Sequence, residues 1–171
     1  MNNTKWFQNP EMVIALSALL IGLVTAAVSI YSAYIDREYA KASVWPRLEI
    51  FRNTQSDSFA YQVLNSGTGP AIIQYAKVEH KEMSMKTWSD VFNFSGVVQS
   101  HIGNRIIPPQ GNVTPLYYNG KNTPKFIELD ESVSITLCYC SIYSECWLIN
   151  RENIPQPIEQ CSISEHNKFS Q

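Results

Sequence analysis

SVSITLCYC, residues 132–140, decides the fold class of this 171-residue chain. Its side chains alternate without a break. Val133, Ile135, Leu137 and Tyr139 fall on one face of an extended strand, and Ser134, Thr136, Cys138 and Cys140 on the other. Working outward, comparable short runs recur at 47–52, 59–65, 71–80, 104–107, 113–118 and 146–150. Turn formers separate them: Asn65-Ser66-Gly67-Thr68-Gly69-Pro70, Pro108-Pro109-Gln110-Gly111 and Asn119-Gly120. One or two helical turns are expected within 84–94, where Trp88, Val91 and Phe92 have helical spacing. Many short strands with frequent turns predict a mainly β protein, a small antiparallel sandwich of Ig-like kind.

Residues 12–35, MVIALSALLIGLVTAAVSIYSAYI, run 24 positions without a charge. A bilayer core takes about 20 apolar residues of helix, so this stretch is long enough to span. Trp6 and Phe7 flank one end, and Tyr31, Tyr34 and Tyr39 the other, as rings that favour the headgroup region. A cleaved signal peptide has a shorter apolar core and more basic residues ahead of it than the single Lys5. The helix should run on as a stalk until Pro46, which disfavours helical geometry at Trp45. The expected organisation is a short tail (1–11), a transmembrane helix (12–35), a juxtamembrane stalk (36–45), the β-sandwich domain (46–151) and a polar tail (152–171). That tail is loose unless Cys161 ties it down.

Ala15, Ala18, Gly22, Thr25, Ser29 and Ser32 form one stripe of small side chains along the helix. In lipid, small residues let helix backbones approach closely, so the stripe is a candidate packing face for a second copy or a partner helix. Small residues are common here, at 10 of the 24 positions, and composition alone accounts for part of the pattern.

Lys5 precedes the span, whereas Arg37, Lys41 and Arg47 follow it. The positive-inside rule then puts the domain on the cytoplasmic side of a membrane crossed once. On that side Cys138, Cys140, Cys146 and Cys161 should all be free thiols. On an exported domain, Cys146 is placed to pair with Cys138 or Cys140 across a hairpin, with Cys161 fastening the tail. The group is a disulfide or thiol cluster. Its spacing does not match the paired C-x₂₋₄-C ligands of zinc sites, and no metal is expected.

Other chemistry is sparse. A net charge of −2 with scattered Lys and Arg offers no basic stripe for a nucleic acid. Asn65–Ala71 (NSGTGPA) has a Gly-x-Gly after a strand but lacks the third glycine and the βαβ setting of a dinucleotide loop. Asn65, Gly67, Gly69 and Pro70 are therefore read as a structural turn, with the glycines supplying unusual backbone angles. The sequence carries no nucleophile elbow, HExxH or P-loop. No catalytic residue and no cofactor are expected.

The order of parts is familiar: membrane helix, stalk, Ser43-Val44-Trp45-Pro46-Arg47-Leu48, a strand ending Asn65–Ala71, a Pro108-Pro109 turn and a last strand pair around 140–147. It resembles a loose group of uncharacterised bacterial single-pass membrane-anchored proteins with a β-sandwich-like domain. The resemblance covers nearly the whole chain and implies a bacterial inner membrane. A second comparison is with type IV pilin-like proteins, through Phe7 and Glu11 ahead of an apolar helix. Trp6 stands where a pilin leader ends in glycine, and Pro10 is out of pattern. The function expected is a non-enzymatic binding module or assembly subunit acting on a protein partner. The alternatives are a pilin-like secretion or filament subunit and a small membrane-tethered hydrolase.

Overall fold

The computed structural model describes residues 9–171. Lys5, Trp6 and Phe7, on which the orientation vote, one aromatic flank and the pilin comparison rest, lie outside them. Two compact units emerge, one ending at Ala42 and one running from Ser43 to Gln171.

The first unit is one helix, α1 (Pro10–Ser43), long and apolar enough to cross a membrane. Pro10 suits a first helical position, where the missing N–H would have no partner anyway. The helix stops three residues before Pro46.

The second unit is built from two antiparallel sheets. One has the strand order β1 (Leu48–Thr54), β2 (Ser58–Asn65), β7 (Asn112–Asn119), β5 (Val98–Gln99). The other has the order β10 (Gln156–Ile158), β9 (Cys146–Ile149), β8 (Val133–Cys140), β3 (Ala71–His80), β4 (Met83–Met85), and β6 (Ile106–Ile107) pairs with β3 as well. Period-two patterning explains the layering. Leu48, Ile50, Phe59, Tyr61 and Val63 of the first sheet and Ala71, Ile73, Val78, Val133, Ile135, Leu137 and Tyr139 of the second are buried in one core. A long apolar helix followed by two antiparallel sheets is the predicted fold class.

Two helices complete the domain. In the single turn α2 (Trp88–Val91), Thr87 and Asp90 form a capping box, each side chain serving the other's backbone. This turn lies within the 84–94 stretch expected to hold one or two, while Ser84 and Met85 at its start belong to β4 and pair with β3. Helix α3 (Thr123–Asp130), with Pro124 in its first turn, was not foreseen after the Asn119-Gly120 turn. It delivers Phe126 to an aromatic cluster, stacked on Phe92 at 4.8 Å and on Tyr118 at 4.4 Å. Trp88, fully buried, meets Phe169 edge-on at 4.8 Å. Each such ring contributes roughly 2–3 kcal/mol by leaving water.

The tail, expected to be loose unless Cys161 ties it down, is tied by Cys161 and by further anchors, Phe169 among them. β10 pairs with β9, the Phe169 N–H donates to Ala76 O at 2.9 Å, and Phe169 is 1 % exposed. Asn153 does the work of a strand at the free edge of β1, donating from Nδ2 to Ile50 O and accepting from Ile50 N–H. Of these anchors only Cys161 is legible in the sequence, because the others are single residues spaced among prolines and polar side chains.

Candidate functional site

The four cysteines come together where β8 and β9 form a hairpin. Cys140 and Cys146 are cross-strand partners, their Cα atoms 4.0 Å apart, and are bonded to each other. Cys138, two residues along the same face of β8, is bonded to Cys161 at a Cα separation of 5.8 Å. The expectation of four free thiols is not met, and both links belong to the pattern anticipated for an exported domain. On the chain-entropy view the longer loop contributes about 3.5 kcal/mol and the short one about 2.4 kcal/mol. The face that carries Cys138 and Cys140 points away from the core, yet both are buried. With all four sulfurs held in two bridges, thiolate donors of the kind zinc requires arise only when a bridge is reduced.

Asn65, Gly67, Gly69 and Pro70 do form a structural turn, but for a different reason than backbone angles. Neither glycine is in the left-handed region, which among glycines holds Gly96 and Gly120. Instead residues 44–47 lie directly across them. A Cβ on Gly67 would sit 2.3 Å from Trp45 O, and one on Gly69 would sit 1.7 Å from Val44 O. Asn65, fully buried, ties the junction together. Its Oδ1 accepts from Arg47 N–H at 3.1 Å and Gly67 N–H at 3.0 Å. Its Nδ2 donates to the carbonyls of Gly69 (2.8 Å), Ile107 (3.1 Å) and Pro108 (3.2 Å). The Pro108-Pro109 turn and the Asn65–Pro70 turn are thus halves of one joint.

Sequence reasoning missed Asp130. At the end of α3 its side chain is 2 % exposed and accepts from Arg52 Nη1 at 2.6 Å, Arg151 Nη2 at 2.9 Å and Tyr61 Oη at 2.5 Å. Arg151 Nη1 also donates to Val133 O at 2.8 Å, and its guanidinium lies 5.8 Å over the Tyr61 ring. The guanidinium side chains remain 38 % and 32 % exposed, so the anion is buried while the cations keep contact with water. Burial, and then the charge of Asp130, push the Tyr61 hydroxyl well above its ordinary pKa. Every polar atom of Asp130 is engaged, and the set is a clamp between β1, β2, α3 and the segment after β9. No sequence signal marks it, because its members are spread over a hundred residues.

The described residues of the β domain also border several concavities, among them a shallow one of about 390 Å³ lined by Glu79, Lys81, Glu82 and Glu131. A cleft of about 470 Å³ is bordered by Lys86, His101, Asn104, Glu165 and Lys168. Lys86 Nζ is committed to the carbonyls of Glu165 (2.5 Å) and Lys168 (3.3 Å), which makes it a clasp on the C-terminal segment. Another, about 450 Å³, is a groove on the outer face of the four-stranded sheet, lined by Asn53, Gln55, Ser58, Gln62, Thr114 and Tyr117 with Ala60 and Val98. Its lining carries no charge.

On α1 the stripe residues Ala15, Ala18, Gly22, Thr25, Ser29 and Ser32 are exposed. A Cβ on Gly22 would meet nothing within 4 Å, and the Thr25 and Ser29 hydroxyls fold back onto carbonyls one turn earlier. No protein-family model matches the chain, and no curated protein matches it significantly.

Proposed function

We propose that this chain is a single-pass membrane-anchored binding module, non-enzymatic, whose β domain engages a protein partner through the outer face of the four-stranded sheet. The observation that carries this is the uncharged groove formed by Gln55, Gln62, Thr114 and Tyr117. Amide and hydroxyl groups around one exposed ring suit a surface that is hydrogen-bonded and stacked upon rather than one that performs proton transfer. The helix anchors the domain in a bacterial inner membrane, as the resemblance implies, and its small-residue stripe packs against a second copy or a partner helix.

The two bridges favour the oxidising side of that membrane for the domain, because glutathione and thioredoxin keep cytosolic thiols reduced. This outweighs a charge bias of two basic residues.

Photo-crosslinking residues placed singly at Gln62, Tyr117 and Glu152 in the membrane-embedded full chain test the binding reading. Discrete adducts from Gln62 and Tyr117, and none from Glu152, are expected. Adducts from Glu152 alone, or from all three alike, refute it. Labelling of a reporter fused after Gln171 from outside intact cells tests the side.

A further inference from the structure

The two bridges are in contact with each other. Cys140 Sγ lies 3.7 Å from Cys161 Sγ, although each is bonded elsewhere, to Cys146 and Cys138 respectively. The sulfurs of Cys140, Cys146 and Cys161 all fall within 4.8 Å of one another. Disulfide exchange proceeds when a thiolate reaches one sulfur of a neighbouring bridge. A freed Cys140 sulfur would already stand at that position. The geometry arises because Cys138 and Cys140 share a face of β8 and Cys161 lies against both. We propose that the paired bridges form one thiol–disulfide exchange centre, whose reaction partner is the dithiol of a thiol–disulfide oxidoreductase.

The order of steps follows from which sulfur is released. Cys140 and Cys146 are nearly equally buried, at 7 % and 8 % exposed, and Cys161 is half-buried, but only attack at Cys146 frees Cys140, the sulfur that stands against Cys161. An external thiolate attacks Cys146 Sγ, forming a mixed disulfide and releasing the Cys140 thiolate. Cys140 attacks Cys161 Sγ, forming the Cys140–Cys161 bond and releasing Cys138, which takes up a proton from water. The second thiol of the partner resolves the mixed disulfide on Cys146. In sum, two electrons and two protons pass from the partner dithiol, which leaves oxidised. The domain keeps one bridge and holds free thiols at Cys138 and Cys146. The tail stays fastened throughout, with Cys161 moved two residues along β8.

Attack at Cys161 instead would release the buried Cys138, whose thiolate is disfavoured by its surroundings. That route leaves the short bridge intact, and the two routes therefore yield different products.

The test is limited reduction of the native full chain in detergent with dithiothreitol, followed by an acid quench, alkylation and chymotryptic mapping. Cleavage after Tyr139 and Tyr143 separates Cys138, Cys140 and Cys146. The expected result is that most one-bridge molecules carry Cys140–Cys161, with label on Cys138 and Cys146. One-bridge molecules holding only Cys138–Cys161 or only Cys140–Cys146 would overturn the proposal. Cys146→Ser gives a second reading at equilibrium, with its tryptophan fluorescence checked against the native chain. Label shared between Cys138 and Cys140 is expected, and label confined to Cys140 refutes the exchange.

Discussion

The domain is held by two polar locks of opposite construction. Around Asn65 one neutral amide binds five backbone groups from three segments, and two glycines let those segments touch. Around Asp130 one carboxylate binds three side chains, two of them charged and partly in water. The first lock is dry and built on backbone, so nothing in it can adjust. The second is built of long side chains that can trade a partner for solvent. The locks should therefore fail differently when a single group is removed.

Gly69→Ala should produce the largest effect of this set. Its Cβ would fall 1.7 Å from Val44 O, a backbone atom with nowhere to retreat. Loss of several kcal/mol, or of folding altogether, is expected in chemical denaturation of the full chain in detergent, followed by tryptophan fluorescence.

Exchanging amide and carboxylate compares the locks directly. Asn65→Asp keeps the shape but turns the donor that serves three carbonyls into an acceptor, in a site with no exposure. A cost of about 3–5 kcal/mol is expected by the same measurement, because a buried charge or a forced protonation replaces three satisfied bonds. Asp130→Asn leaves Arg52 and Arg151 without their anion, but both reach water, so a smaller cost of about 2–3 kcal/mol is expected. Equal losses would show that the locks do not differ as described.

The smallest effect concerns Tyr61. Its hydroxyl ionises less readily in the folded chain than at the ordinary value of 10.0, because burial and Asp130 both disfavour the phenolate. The sign follows from linkage. The unfolded chain loses this proton first, so stability is fully present below pH 10 and declines above it. Tyr61→Phe should cost about 1 kcal/mol at neutral pH and flatten the alkaline decline relative to the native chain. Parallel stability curves for the two proteins between about pH 9 and pH 11, around the ordinary tyrosine range, would contradict the raised Tyr61 hydroxyl and with it the combined effect of burial and Asp130.

How much of this was legible in the sequence depends on how far apart the interacting residues lie. The alternation at 132–140 placed Val133, Ile135, Leu137 and Tyr139 in the core, since side-chain period follows from local backbone geometry alone. A 24-residue charge-free run marks a helix that water cannot solvate well, whatever surrounds it. Asn65–Pro70 was legible as a turn, because glycine and proline act on their own segment. That the glycines admit residues 44–47, instead of supplying positive φ, was not.

Everything that needed two distant segments had to wait for the tertiary structure. Cys161 had two partners within reach on one strand face, and only the packing of the tail across β8 selects Cys138. Arg52, Tyr61, Asp130 and Arg151 carry no shared motif, and they meet because β1, β2, α3 and the end of β9 converge. Chain entropy opposes such meetings and the whole core provides for them, so the outcome depends on the sum of contacts and not on any local string.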